Sequence, residues 1–348
     1  MAAQNKNRYL DILQIFRGIA ALMVVIHHSV ASMKYYHNVN YEVLNYIGKF
    51  GKLGVDFFFI LSGFIISYTV YYKYDEPESF KNYVKSRLIR VYVPYLPIGI
   101  LMFILYSFFP DFSNGDREIS LLTSLSLYPI GNPALSVAWT LTFELSFYLL
   151  FSISFYSRKL WNYFIVLWIV LILIFNYSSL NNLQIKRYPL FKIFFSTYNI
   201  EFILGYLLSL IIIHKIKIRL QHQLLGLLTL AALFVYPIFL SIKTTDFHSN
   251  YLFSGILFFL LYNAIIIFNK KINKNLILMH VGNASYSIYL VHNPIQMIVL
   301  RFYPKINSIL TIIISFFVVL FISSLFGYLY YLIFEKKCME LIKSKITK

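Results

Sequence analysis

Long apolar segments separated by short polar stretches run along almost the whole chain. A helix that spans a bilayer needs about 20 predominantly apolar residues, and ten segments of that kind are present. They lie near 11–33, 51–72, 91–110, 136–157, 161–179, 190–213, 220–242, 250–268, 277–300 and 306–334. The pattern predicts an all-α, polytopic integral membrane protein with about ten transmembrane helices. We expect a single domain with a helical core over about 8–335 and a short basic tail at 336–348.

The distribution of basic residues predicts the orientation of these helices. An even number of spans places both termini on the same side of the membrane. If the termini and the loops at 73–90, 158–159, 214–219 and 269–275 are cytoplasmic, 20 of the 31 Lys and Arg residues lie there and 10 lie opposite. Cytoplasmic loops carry an excess of Lys and Arg, so we expect both termini in the cytoplasm.

The composition excludes several classes of protein. Charged residues make up 13% of the chain, against about 25% in soluble domains. The net charge of +17 does not favour a nucleic-acid partner, because the basic residues lie between apolar spans, where they set topology and contact anionic lipids. A single cysteine, Cys338, excludes a disulfide framework and a cysteine-based metal site. The first span is interrupted by Arg17, so we expect it to be retained and not removed as a signal peptide.

The first span contains a cation and an imidazole, Arg17 and His28. They are 11 residues apart; eleven steps return a helix to within about 20° of its start, so both side chains lie on one face, about 16 Å apart along the axis. His27 lies about 80° away from that face. A histidine alone in such a helix is more often a buried polar residue bonded to a neighbouring helix. Ionisable groups within a span usually face the bundle interior or a water-filled path, so the shared face is a candidate site.

Three acidic residues lie inside later spans or at their edges: Asp56, Glu144 and Glu201. A carboxyl group in an apolar helix must be protonated, paired or hydrated. Next to an imidazole it can orient the ring or act as an acid or base. Glu201 is equally suited to be a counter-ion for Arg17. Ser62 belongs to a pair of small residues that serves either close helix packing or function.

Basic residues cluster at the predicted cytoplasmic end of the third span, at Lys85, Arg87 and Arg90. Arg87 and Arg90 are three residues apart, so they are neighbours on one helix face. Guanidinium groups bind phosphate through paired hydrogen bonds. The alternative to phosphate binding is a basic cluster that sets topology and contacts lipid, and spacing alone favours this alternative.

The ninth span carries a polar face formed by Ser285, Tyr289 and His292. Their spacing of four and three residues places them on one side of a helix. Hydrogen bonds between helices are at least as good an explanation for this face as contacts with a substrate.

Six motifs of this kind follow one another along the chain. They are Arg17 to Ala21 with His28, the segment 54–64, Arg87 with Arg90, Trp139 to Leu141 with Glu144, Glu201 with Gly205, and Ser285 to Leu290 with His292. In this order, over about 8–335, the set resembles the acyltransferase 3 family of integral-membrane acyltransferases. Thr140 stands where serine is more familiar in that family, and it retains the hydroxyl.

The resemblance implies transfer of an acyl group, most often acetyl, from cytoplasmic acyl-CoA to a hydroxyl of an extracytoplasmic glycan such as O-antigen, capsule or exopolysaccharide. It implies a multi-pass protein of the bacterial inner membrane that contacts membrane lipids and a free or lipid-linked saccharide, and it implies no metal. The implied catalytic residues are His28, Arg17, Glu144 and Asp56. The implied coenzyme A ligands are Arg87, Arg90 and Lys85, and the implied substrate contacts are Ser62, Trp139, Glu201, Tyr289 and His292.

Two other functions are compatible with buried charges. A transporter or lipid-linked glycan flippase would use them as a translocation path. The absence of an inverted repeat and the presence of the Trp139-to-Glu144 motif count against it. A membrane sensor or scaffold would leave the intramembrane acid–base groups without a purpose.

Overall fold

A computed structural model of the protein describes residues 8–113, 118–177, 188–239, 246–267, 276–306 and 308–346. These residues form fifteen α-helices and no β-strand. The helices are α1 (Arg8–His37), α2 (Glu42–Tyr71), α3 (Ser79–Phe108), α4 (Leu121–Ser126), α5 (Trp139–Phe151), α6 (Ile153–Tyr156), α7 (Arg158–Tyr177), α8 (Pro189–Phe194), α9 (Tyr198–Ile213), α10 (Leu220–Phe239), α11 (Asp246–Ile267), α12 (Ile277–Asn283), α13 (Ser285–Phe302), α14 (Ile309–Tyr330) and α15 (Lys336–Ile346). A 3₁₀ turn (Ser136–Ala138) precedes α5, and a π-helical turn (Tyr331–Glu335) joins α14 to α15.

Helices occupy the described part of each predicted span, and the all-α prediction is confirmed for the described residues. Six stretches of the described chain are both long and apolar enough to cross a membrane. They are Asp11–His37, Glu42–Tyr71, Ser79–Phe108, Ser136–Tyr156, Arg158–Asn176 and Ile309–Ile342. Tyr198–Ile213 and Phe253–Ile267 are shorter apolar helices. The membrane character follows from these helices, whereas the number ten stays a prediction.

The predicted span 190–213 is two helices, α8 and α9, and not one. The break has a local cause in Asn199. Its side-chain amide donates to the carbonyl oxygens of Ile193, Phe194 and Ser196, at 2.7, 3.1 and 3.2 Å. Those carbonyl groups at the end of α8 lack the intrahelical partners that a continuous helix would supply. Asparagine therefore stabilises the interruption that hydropathy alone does not reveal.

Two helices include polar residues that lie outside the predicted spans. The third predicted span, 91–110, belongs to a helix that begins twelve residues earlier, at Ser79, because the basic segment before Arg90 is helical although it is too polar to count as a span. The basic tail predicted at 336–348 is helical over Lys336–Ile346, which is α15. Hydropathy finds the apolar part of a helix and misses polar turns that continue it.

The described chain divides into two compact units. Unit 1 lies within Met1–Leu13, Asp56–Tyr83 and Phe143–Asn273, and unit 2 within Gln14–Val55, Val84–Thr142 and Lys274–Lys348. Helix α2 contributes to both units, so each half of it is described with its own unit. The single domain expected from the sequence stays a prediction.

In unit 1, the centre of α2 crosses α9 at glycines. A Cβ atom on Gly63 would lie 2.1 Å from the carbonyl oxygen of Phe202, and one on Gly205 would lie 2.0 Å from that of Ile60. Small residues let helix backbones approach closely in a membrane. The close approach supports the packing explanation for Gly63, whereas the role of Ser62 stays a prediction. Beside the crossing, the rings of Phe147 and Phe202 stack with centroids 4.6 Å apart.

In unit 2, close backbone contact at glycines likewise joins α1 to α12. A Cβ atom on Gly282 would lie 2.0 Å from the carbonyl oxygen of Gln14, and one on Gly18 would lie 2.9 Å from the amide nitrogen of Gly282. A third close approach brings Gly327 of α14 against the backbone of Ile288 in α13. These approaches fix α1, α13 and α14 within one unit, and the candidate site lies on α1 and α13.

The crossing in unit 1 predicts a steric penalty. Gly205→Ala should lower the free energy of unfolding by about 1–3 kcal/mol, because overpacking forces backbone shifts. The matched control is Gly226→Ala in α10, where the new Cβ would meet only the ring edge of Phe259 at 3.3 Å. Alanine is the better helix former by up to about 1 kcal/mol, so this variant should be neutral or stabilised. Thermal unfolding in detergent micelles measures both, and equal effects would contradict the crossing.

Candidate active site

His28 lies on α1 with one ring nitrogen engaged by a second histidine. Its Nδ1 is 3.1 Å from the carbonyl oxygen of Val24 and 3.1 Å from Nε2 of His292. The neighbouring His27 is directed elsewhere, because its Nδ1–H donates to the carbonyl oxygen of Gly48 at 2.8 Å. The helix α1 is continuous from Arg8 to His37, which confirms that Arg17 and His28 share a face.

The hydrogen bonds of His292 define where protons lie in this pair. His292 is fully buried, and its Nδ1 lies 3.1 Å from the carbonyl oxygen of Ile288. A carbonyl only accepts, so Nδ1 of His292 carries the proton and Nε2 of the neutral ring is an acceptor. His28 then donates to it from Nδ1–H. In a neutral His28 ring, that arrangement leaves Nε2 with a lone pair.

Nε2 of His28 has no hydrogen-bond partner among the residues that the structure describes. A base oriented by a hydrogen bond from its other ring nitrogen is the arrangement found in catalytic triads. From the sequence, we expect a carboxylate to orient His28. In the structure, His292 takes that position, and its contact with a substrate stays a prediction.

Further polar contacts hold α1 against α13 around this pair. Gln296 donates through Nε2 to Ser29 Oγ at 2.9 Å and to the carbonyl oxygen of Val25 at 3.2 Å. Nearer the end of α1, His37 Nε2 donates to the carbonyl oxygen of Leu300 at 2.8 Å. In membranes such bonds contribute about 0.6 kcal/mol each on average. Their effect is to fix the register of the two histidine-bearing helices.

His28 lines a cavity of about 320 Å³ in unit 2. Its wall is made of aromatic rings, hydroxyl groups, an amide and methionine side chains, and His28 is its only titratable nitrogen base among the described residues. The other lining residues are Ala31, Ser32, Tyr35, Tyr36, Met102, Tyr106, Phe112, Ser113, Leu135, Ser136, Asn293, Pro294 and Met297. An imidazole thus lies at the wall of a space large enough for a ligand.

Tyr289 and Trp139 occupy different environments at one edge of this unit. The hydroxyl of Tyr289 lies 2.7 Å from Thr140 Oγ1 and donates to the carbonyl oxygen of Val137 at 3.0 Å. It therefore ties α13 to the start of α5, as one alternative above expected. Trp139 is 37% exposed. Asn293, which the sequence analysis missed, donates to Ser136, and both residues line the cavity.

The predicted cytoplasmic cations lie on the first turns of α3 in different surroundings. Lys85 is exposed, whereas Arg87 and Arg90 are half-buried. Arg90 pairs with Glu335 at 2.7 Å and stacks over the ring of Tyr286 at 4.9 Å. A phosphate on Arg90 would share its guanidinium with that carboxylate.

Glu335 is the acidic residue that sequence analysis missed. It is 2% exposed, and its second oxygen accepts from Ser287 Oγ at 2.5 Å. In the sequence, Glu335 lies between a long apolar segment and two lysines. That position predicts an acid in the solvated end of a membrane helix. The signal that points to it is its place within a π-helical turn, a feature frequent at functional sites.

The predicted site acids form two groups in unit 1. Glu144 Oε1 accepts from Ser62 Oγ at 3.2 Å and from the hydroxyl of Tyr148. Glu201 accepts from Ser254 Oγ at 3.4 Å, and the carboxyl group of Asp56 lies close to it.

Arg17, the predicted partner of His28, is half-buried and donates to Gln14 Oε1 at 3.1 Å. The described residues contain no cluster of three or more His, Cys, Asp or Glu side chains able to hold a metal ion. The imidazole of His28 at the cavity is a group suited to proton transfer or to nucleophilic attack.

Comparison with known protein families identifies the class of this chain. The family model for the acyltransferase 3 family, described as an acyltransferase domain, matches residues 8–328. Because the match covers nearly the whole chain, the protein belongs to this family and is a membrane acyltransferase. Comparisons with curated proteins and with solved structures gave no match. Glu335 and α15 lie beyond the matched residues.

Proposed function

We propose that the protein is an O-acyltransferase of the bacterial inner membrane with ten spans and both termini in the cytoplasm. It transfers an acyl group, most often acetyl, from cytoplasmic acyl-CoA to a hydroxyl of an extracytoplasmic glycan such as O-antigen, capsule or exopolysaccharide. The observation that carries this proposal is His28. Its Nδ1 is held by His292, and its ring lines a cavity.

In the proposed reaction, Nε2 of His28 removes the proton from the acceptor hydroxyl as its oxygen attacks the thioester carbonyl. The carbon–sulfur bond breaks, the new ester forms, and the proton passes to the departing thiolate to give free coenzyme A. While His28 is protonated, its Nδ1–H stays bonded to Nε2 of His292. That bond stabilises the imidazolium and prevents the ring from turning.

The lining of the cavity supports a saccharide as the acceptor. Ser32, Ser136 and Asn293 offer hydroxyl and amide groups, and Tyr35 and Tyr36 offer aromatic faces. A few polar groups that fix orientation on a largely apolar wall are typical of small-molecule sites. Among the described residues that line the cavity there is no Lys, Arg, Asp or Glu, which favours an uncharged part of the glycan.

For the donor, we propose that Lys85, Arg87 and Arg90 bind the phosphates of coenzyme A. The ion pair to Glu335 holds the Arg90 guanidinium in place, and paired hydrogen bonds from guanidinium groups suit phosphate. Asp56 and Glu144 are proposed as further site carboxylates, with Arg17 as a partner of His28. These roles rest on the family motifs.

Removing the base should abolish transfer and leave a folded protein. We expect His28→Gln to lower kcat by about 10²–10⁴-fold, the usual contribution of a general base. His27→Gln is the matched control, because it removes a ring that bonds only the backbone of Gly48 and costs about 1 kcal/mol of stability. Transfer of label from acetyl-CoA to polysaccharide in membranes, per amount of folded protein, measures both. Equal losses in the two variants would contradict the assignment of His28.

Removing a phosphate ligand should act on donor binding alone. We expect Arg87→Gln to raise KM for acetyl-CoA by about tenfold or more, the loss of a charge-assisted hydrogen bond, with kcat nearly unchanged. Lys81→Gln is the control on the same helix, since Lys81 is exposed and paired with Glu78. An unchanged KM for Arg87→Gln, or equal changes in both variants, would remove Arg87 from the donor site.

A further inference from the structure

Unit 1 contains a second polar cavity, of about 160 Å³, where three membrane helices end. Tyr71 is the last residue of α2, Arg158 the first of α7, and His214 follows the last residue of α9. The three loops at this point are those that the charge distribution assigns to the cytoplasm. The lining residues are Ser67, Tyr71, Tyr74, Arg158, Trp161, Asn162, Tyr206, Leu210 and His214, and we call this cavity the Arg158 pocket.

The guanidinium of Arg158 lies against two aromatic rings. Its guanidinium carbon lies 4.4 Å from the ring centre of Tyr74 and 5.1 Å from that of Tyr71. Stacking on aromatic faces fixes the guanidinium plane and directs its N–H groups along the edges, in the fork that binds phosphate. The acyl-transfer chemistry proposed above has no use for this residue.

The ion pair that Arg158 makes is weak and replaceable. Its Nη2 lies 3.9 Å from Asp75 Oδ2, and the Asp75 side chain is fully exposed. Exposed pairs of this kind contribute little, about 0–1 kcal/mol. A phosphate oxygen at hydrogen-bonding distance would be the stronger partner.

Other side chains of the pocket supply hydrogen-bond donors. The hydroxyl of Tyr206 donates to Asn162 Oδ1 at 2.7 Å, which leaves the amide nitrogen of Asn162 as a donor. The His214 ring lies 3.4 Å from the hydroxyl of Tyr71. Burial raises the pKa of Tyr74, and its protonated hydroxyl donates to Ser154 Oγ at 2.9 Å.

We propose that the Arg158 pocket binds a phosphate group, supplied by the headgroup of an anionic phospholipid at the cytoplasmic surface. The pocket is smaller than the roughly 300–1,000 Å³ of sites for drug-sized ligands, so it has room for a single small group and not for a nucleotide. Basic pockets between membrane helices on the cytoplasmic side are typical sites for lipid headgroups. A soluble phosphate shares the same chemistry, and the experiment distinguishes the two sources.

The test uses the full-length protein, purified and stripped of lipid, with three probes. Phosphatidylglycerol carries the phosphate and two acyl chains, dioleoylglycerol carries the chains alone, and glycerol 3-phosphate carries the phosphate alone. Native mass spectrometry and thermal shifts measure binding of each. We expect phosphatidylglycerol to bind at least about tenfold tighter than dioleoylglycerol, as a charge-assisted hydrogen bond provides.

The variants locate the binding to the pocket. Arg158→Gln should reduce phosphatidylglycerol binding to the level of dioleoylglycerol, and Arg158→Lys should bind with intermediate strength because it keeps the charge and loses the planar fork. Lys159→Gln, which removes an equal charge from the next exposed residue, should bind within about twofold of the unchanged protein, as expected for a loosely held surface charge.

Each outcome decides the proposal. Binding of glycerol 3-phosphate that depends on Arg158 and equals that of phosphatidylglycerol would identify a phosphate site filled from solution. Weak glycerol 3-phosphate binding would identify the lipid headgroup. Equal weakening by Arg158→Gln and Lys159→Gln, or equal binding of phosphatidylglycerol and dioleoylglycerol, would overturn it. Thermal unfolding without lipid shows whether each variant is folded. If Arg158→Gln does not fold, the comparison is made with Arg158→Lys.

Discussion

A hydrogen bond between two histidines, His28 on α1 and His292 on α13, is the interaction on which the candidate active site depends. Both rings lie in apolar helices, where an unpaired polar group is costly. The carbonyl oxygens of Val24 and Ile288 supply further partners, so within the described chain every ring nitrogen of the pair except Nε2 of His28 is hydrogen-bonded without an ionised side chain. The chain of bonds from Ile288 through His292 orders the protons and leaves Nε2 of His28 as a base.

Such a bond tolerates only small changes in its distance and angle, so the helices that carry the two rings must be held in register. In unit 2, glycine contacts between helix backbones and side-chain hydrogen bonds hold them. The glycine contacts at Gly18 and Gly282 bring α1 against α12 at backbone distance, and Gln296 bonds α1 directly from α13. Close-packed interiors transmit small displacements, so a change in these distant contacts reaches the site. The geometry of the candidate site thus depends on helix packing as much as on the two rings.

Part of this site is predictable from sequence because it follows from local rules. An imidazole in an apolar helix is costly to bury, and the helical period places His28 on the same face as Arg17. These two facts alone make His28 a site candidate. The role of His292 is not predictable in that way, since its partner lies 264 residues away and no periodicity encodes a contact between distant helices. The same holds for Glu335, whose partner Arg90 is 245 residues distant. Hydropathy finds the helices, but it misses the break at Asn199, which depends on side-chain hydrogen bonds to individual carbonyl groups.

The most direct test of the account is the position of protons on the two rings. Nitrogen-15 solid-state NMR of histidine-labelled protein in bilayers distinguishes the two neutral tautomers of each ring, and His28→Gln and His292→Gln assign the signals among the eight histidines. The account predicts that His292 carries its proton on Nδ1 and that His28 carries its proton on Nδ1, with Nε2 of His28 unprotonated. A proton on Nε2 of His292, donated to Nδ1 of His28, would place the proton of His28 on the nitrogen assigned as the base and would contradict the mechanism.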